Sequence, residues 1–239
     1  MRVHVWAENK PLIEDKEKMY SIYPEGIEGV LALILANDPT LSITISRGTD
    51  DDYGLSDSII KNSDVMLYWS HKHWREIPDE RVDALQKAVL EGMGLVLLHS
   101  AHASKIFSRL LGTRTQALSW HESGQKQRVV NVLPSHQIAR GIGESFIIKE
   151  DESYSEYFEI PTPDELVFLT VSEGMDVIRS GCCFKRGRGR IFYFSAGHET
   201  YPVYYCEEVR KIIHNAVLWA GENRDSSWPT WAREKESVK

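Results

Sequence analysis

The sequence predicts an α/β fold on a mostly parallel sheet, and three observations predict it. Strand-like and helix-like patterns alternate through the first half of the chain, as they do where helices cover a parallel sheet. Residues 94–98 are almost wholly apolar, as a strand covered on both faces must be. The 239 residues, 42% hydrophobic and 26% charged, suffice to bury a large core without disulfide or metal staples.

Each element has its own warrant. Residues 2–7 read as a first strand, and Pro24 opens a helix over 25–36. Alternating β-branched residues make 41–46 a strand. A short helix over 57–61 precedes a buried strand over 64–69. In 78–91 the residues Val82, Leu85, Ala88 and Val89 share one helical face, and Gly92 ends that helix. After the apolar strand, 103–111 reads as a helix running into Gly112. The second half is less regular. Strands are expected at 127–132 and 145–149 in an inserted hairpin region, then at 166–171, 181–185 and 190–195. Two prolines make 159–165 a loop, and 206–220 is a closing helix. Right-handed crossovers would put the strand C-terminal ends on one edge, where open α/β sheets bind ligands.

Composition excludes several functions. With 28 Lys and Arg against 35 Asp and Glu, the formal charge is −7, the wrong sign for general binding to nucleic acid or an anionic membrane. The basic run 185–190 reads as a hairpin turn between two strands. The apolar run 30–36 stops at Asn37-Asp38, far short of the ~20 residues that cross a bilayer. The N-terminus lacks the apolar stretch of a signal peptide, and Cys182, Cys183 and Cys206 show no C-x-x-C spacing, so reduced cysteines and a cytoplasmic location are expected. The serine-hydrolase elbow, the P-loop and the dinucleotide G-x-G-x-x-G are all missing, which argues against a nicotinamide cofactor.

The histidines are unevenly placed. Five of nine fall just after expected strand ends: His71 and His73, His99 and His102, and His198. His71 and His73 are two apart and point the same way on an extended loop. Neutral imidazoles are the commonest ligands of zinc and related ions, and a catalytic zinc keeps one position open. The expected site is therefore a divalent metal, of the zinc kind, on some of His71, His99, His102 and His198, with one of the four outside the coordination sphere. A structural metal with every position closed is the bland form of the same reading. His4, within strand one, and His214, within the last helix, read as structural, and His136 beside Pro134 as a turn residue. His121 and Glu122 could face either way.

The acidic run 150–156, broken by Tyr154, reads either as a solvated loop or as a source of catalysis, with Glu152 as the proton-moving carboxylate and Tyr154 on substrate hydroxyls. Glu199, next to His198, is a second proton carrier. Aromatic residues (Trp69, Trp74, Trp120, Tyr201, Tyr204) suit sugar rings and core packing alike. Trp69, His73, Ser100, Glu122, Tyr154 and Tyr201 complete the expected substrate-binding set.

Six stretches carry a resemblance: Tyr68-Trp69-Ser70-His71, residues 92–102, Asp151-Glu152-Ser153-Tyr154, Phe158-Glu159-Ile160-Pro161, Arg179-Ser180-Gly181-Cys182-Cys183 and residues 190–202. Over about residues 1–221 the chain resembles the ThuA-like trehalose-utilisation proteins. The resemblance implies one domain with the flavodoxin-like three-layer α/β/α plan of class I glutamine amidotransferases. That fold carries a nucleophilic cysteine at a strand-to-helix elbow, here His99-Ser100-Ala101-His102-Ala103, with Ala101 nearest the thiol position; its catalytic histidine and glutamate correspond to His198 and Glu199. Without the thiol no thioester can form, so no glutaminase activity is expected. The implied role is in catabolism of trehalose or a related disaccharide, alongside a sugar dehydrogenase that makes 3-keto sugars. The leading expectation is a metal-dependent enzyme, a hydrolase, lyase or isomerase, acting on a disaccharide or its keto form; the alternative is a non-catalytic sugar-binding or regulatory protein with a vestigial amidotransferase-like pocket. The tail, residues 222–239, lies outside the resemblance, and its Trp228 and Trp231 suggest docking on the chain or on a second copy in a homo-oligomer.

Overall fold

The computed structural model describes residues 1–10, 13–73, 75–113 and 120–222. The expectations on Trp74 and on the tail beyond Glu222, with Trp228 and Trp231, lie outside them.

Five strands form a parallel set: β1 (Arg2–Ala7), β2 (Ser42–Arg47), β3 (Val65–Ser70), β4 (Gly94–His99) and β9 (Gly189–Phe194). Four others, β5 (Trp120–Asn131), β6 (Ser145–Tyr154), β7 (Glu165–Ser172) and β8 (Val177–Arg186), pair antiparallel. Together they make one sheet in the order β2-β1-β3-β4-β9-β8-β7-β5-β6. The sheet is thus mixed rather than mostly parallel. The reason is connection length: tight turns join β7 to β8 and β8 to β9, and such turns can join only antiparallel strands.

Helices explain why β4 is apolar throughout. Its Val96 and Leu98 pack with α2 (Gly26–Leu35) and α6 (Glu207–Gly221), through Val30, Leu31, Ile212, Ile213 and Val217. Its Leu95 and Leu97 face the other way, onto α4 (Asp79–Leu90) and α5 (Lys105–Leu111), through Val82, Leu85, Val89 and Phe107. Gly94 starts the strand because a Cβ there would lie 2.5 Å from the Ala220 carbonyl oxygen, so only glycine lets α6 approach. A short helix, α3 (Asp57–Lys61), is capped by Ser56, whose hydroxyl accepts from the Ile59 N–H. Another helix, α1 (Ile13–Ile22), was not expected, because half of its residues are charged and no clear apolar stripe shows; Met19 is what it buries. No helix among the described residues is long and apolar enough to cross a membrane.

The acidic run is not a solvated loop. β6 continues through it to Tyr154, and Asp151, Glu152, Ser153 and Tyr154 are all buried. Strand direction puts the C-terminal ends of β3, β4, β9 and β6, and the start of β5, at the same edge. β6 stands five places from β4 in the sheet, yet its end reaches β4. Two register shifts in β5, between His121 and Gln125 and between Gln125 and Gln127, mark where the β5–β6 ribbon bends. Cys182 and Cys183 are buried and Cys206 half-buried, all as free thiols; burial pushes Cys182 up to about 12, so it is inert.

Candidate functional site

The side chains of His71, His99, His198 and Glu199 converge, with one potential ligand atom from each lying within 4.8 Å of all the others. All four are buried. The imidazole rings pack edge to face, with centroids 4.7 Å apart for His71 and His198, 5.2 Å for His71 and His99, and 5.3 Å for His99 and His198. They come from three strand ends: His71 follows β3, His99 ends β4 and His198 lies four residues beyond β9.

Two further buried carboxylates, which the sequence reading passed over, hold these loops. Glu8, just past β1, accepts from the backbone N–H groups of His71 (2.9 Å), Lys72 (3.0 Å) and His73 (2.9 Å). Asp151 accepts from those of Gly197 (2.9 Å), His198 (3.1 Å) and Glu152 (2.9 Å). Burial pushes the Asp151 carboxyl up to about 8 against the pull of those N–H groups. The available clue to Glu8 was its place directly after a parallel strand. Asp151 was hidden because an acidic run shows no face until its strand is known.

His99 occupies a strained backbone position, φ 55° and ψ −130°, at the strand-to-helix elbow. The strained elbow residue is therefore His99. Ala101 lies in the 3₁₀ turn that follows, wholly buried. Trp69 stacks beneath His99 with centroids 5.9 Å apart and donates its indole N–H to the Gly197 carbonyl (3.0 Å).

The electrostatics differ from ring to ring. Burial pushes His99 well down, and the neighbouring histidines push it further. Burial likewise pulls His198 down to about 4. His71 is raised: burial opposes its charge, but Glu199 accepts at 2.6 Å and prevails. Glu199 is lowered in turn, burial being outweighed by His71 and His198. Three buried atoms here, His99 Nε2, His198 Nε2 and Glu199 Oε2, have no hydrogen-bond partner, although such atoms are normally satisfied.

The other expected residues fall into two groups. Glu152 Oε2 lies 3.5 Å from His99 Nε2 and accepts from the Tyr154 hydroxyl, which also meets Ser100 Oγ at 2.8 Å. Burial raises the Glu152 carboxyl to about 7, the largest opposing influence being the Tyr154 hydrogen bond. Glu122 Oε1 stands 3.3 Å from His198 Nε2, and the Tyr201 ring lies 5.5 Å from that of His198. These join the cluster. His102 and His73 do not join the group of four. His102 Nδ1 faces the His99 carbonyl (3.2 Å) and the Tyr193 hydroxyl (3.1 Å), with its ring against Phe158. His73 turns to Glu76, 2.7 Å away. Of the histidines read as structural, His4 lies between Thr44 and Ser46, His214 pairs with Asp38, and His136 accepts from the Ile138 N–H.

This donor set can do two things. Three imidazoles, two of them held neutral, and a carboxylate match the ligand types of zinc. The Glu152–Tyr154 pair can store and return a proton beside them.

A family model described as ThuA, trehalose utilisation, matches residues 4–220. Solved structures with the same fold include a ThuA-like protein from Parabacteroides merdae ATCC 43184 (TM-score 0.70, 14% identity, 95% of this chain and 91% of that one). A ThuA-like protein from Bacteroides uniformis ATCC 8492 follows (0.66, 14%, 95% and 93%). A third, from Salmonella typhimurium LT2, is described as a cytoplasmic protein (0.58, 11%, 92% and 99%). No curated protein matches the chain significantly.

Proposed function

Because the chain belongs to the ThuA family of trehalose utilisation, we propose that its strand-end pocket is the active site of a metal-dependent enzyme acting on trehalose, a related disaccharide or the 3-keto form of one. The observation that carries this reading is the set of three buried atoms without a hydrogen bond, His99 Nε2, His198 Nε2 and Glu199 Oε2, within one cluster. A buried polar atom left unpaired costs about 1–3 kcal/mol, and a shared divalent ion removes that cost for all three at once. His71, His99 and His198 would hold the ion, zinc being the one this donor set suits, with Glu199 as a fourth ligand or as the acceptor that orients His71. When bound, the ion supplies charge that polarises a carbonyl or acidifies a water.

The chain's own residues do the rest. Glu152, whose carboxyl burial raises, stands with Oε2 3.5 Å from His99 Nε2 and would exchange a proton with a substrate oxygen. Tyr154 holds that carboxyl by donating its hydroxyl to it, and Ser100 Oγ meets the Tyr154 hydroxyl in turn. Glu122 and Tyr201, both beside His198, would meet sugar hydroxyls. His198 and Glu199 keep the places of the amidotransferase base, and the elbow holds an imidazole instead of a thiol, so acyl transfer from glutamine is excluded from the proposal. The order β2-β1-β3-β4-β9 supports the flavodoxin-like plan, whose ligands lie beyond the strand C-termini. A sugar dehydrogenase would supply the keto substrate.

The test is elemental analysis of chelator-free protein, combined with product analysis after incubation with trehalose and with 3-keto-trehalose. One divalent ion per chain, with turnover abolished in His198→Ala, is expected. Protein without stoichiometric metal overturns the metal, and metal-independent sugar binding without turnover assigns the chain to the sugar-binding alternative.

A further inference from the structure

The start of β5 stands beside this cluster, and it opens with an exposed aromatic residue. Trp120 is 58% exposed although it opens a strand of the main sheet. It pairs directly with Tyr154, and side chains directly opposite in an antiparallel pair stand on the same face. That is the face on which Tyr154 reaches Glu152 and His99. Two residues on, Glu122 brings its carboxylate 3.3 Å from His198 Nε2 while 39% of the side chain stays exposed. Gly124, at φ 65°, lets the strand pass close to Tyr201, since a Cβ there would lie 3.0 Å from the ring. The Tyr201 hydroxyl donates to the Glu122 carbonyl at 3.5 Å. The start of β5 is therefore tied to the imidazole cluster at Glu122 and carries Trp120 two residues before it on the same face.

A pyranose has a flat face of C–H groups and an edge of hydroxyls. An exposed indole with a carboxylate two residues further along the strand offers matching surfaces, an apolar plane and a strong acceptor. We propose that Trp120 is the stacking platform for the second sugar ring of a disaccharide whose first ring lies at the imidazole cluster, with Glu122 accepting from its hydroxyls between the two. This rests on the sugar-directed reading above and adds what makes the site prefer two rings over one. It also gives Trp120 a reason to stay exposed, since its cover is the ligand.

Calorimetric titration of metal-replete protein with trehalose, 3-keto-trehalose and glucose tests the platform, on the wild type, Trp120→Ala and Trp120→Phe. Trp120→Ala is expected to bind the disaccharides about tenfold more weakly, with glucose affinity, metal content and melting temperature unchanged. Trp120→Phe recovers part of the loss. In turnover the same variant raises KM and leaves kcat in place. Disaccharide affinity equal in wild type and Trp120→Ala overturns the platform and leaves the sugar site standing. A wild type that binds none of the three sugars overturns the sugar site and the platform with it.

Discussion

His4 and His99 are both buried, and the difference between them lies in what faces each ring nitrogen. His4 Nδ1 and Nε2 each meet a hydroxyl at 2.7 Å, on Thr44 and Ser46, so the ring is filled and structural. His99 Nε2 faces the cluster without a hydrogen-bond partner. Burial pulls His4 down to about 4, so the unfolded chain, protonating near 6.5, takes up the proton first. Below pH 6.5 the unfolded state therefore binds more protons, and stability falls as pH drops towards 4, by on the order of 2 kcal/mol from this residue. His4→Gln cannot titrate there. Its stability deficit against the wild type in urea should shrink between pH 7.5 and pH 4.5; a deficit constant across that range would contradict the account. The structural role of His4 was legible, because a strand interior gives both nitrogens neighbours. That His99 takes the strained position was not, since no hydropathy pattern announces which residue bends.

At the scale of elements, two of the three site loops are each held by a carboxylate that stays outside the group of four. Glu8 collects three N–H groups of the loop after β3, and Asp151 two of the loop after β9. An amide in place of Glu8 keeps its shape and one acceptor oxygen but gives up a charge-assisted acceptor. Glu8→Gln should remain folded by circular dichroism yet weaken cobalt or zinc binding by about tenfold, as loss of an outer-sphere support does. Metal affinity equal to the wild type would show that the loop holds itself. Strand and helix placement in the first half was readable, since periodicity and caps are local, except for α1, whose charged residues show no apolar stripe. The bend of the β5–β6 ribbon was not: it depends on register shifts at His121, Gln125 and Gln127, which no hydropathy pattern encodes. So the sequence marked Glu152 as a candidate but could not say how the last strand of the sheet delivers it to β4.

At the scale of the molecule, the cluster draws on both halves of the mixed sheet. His71 and His99 follow the early parallel strands, His198 and Glu199 follow β9, and β6 at the far end pins the last of these loops through Asp151. These residues are separated by up to 128 positions in sequence, so an unfolded or half-folded chain presents at most part of the donor set. An ion that needs the complete set binds only the native state and must stabilise the whole fold. By mass action, free metal at 100 times its dissociation constant adds about 2.7 kcal/mol. For a chain of this size that raises the melting temperature by roughly 5–10 °C. The shift should appear in one cooperative transition, vanish on chelation and be missing from His71→Ala. A separate early transition that ignores metal would mean that the antiparallel half folds independently of the site. An equal shift in His71→Ala would place the ion elsewhere in the molecule. The donors that invite a metal are too far apart in the chain to gather by any means except the completed sheet.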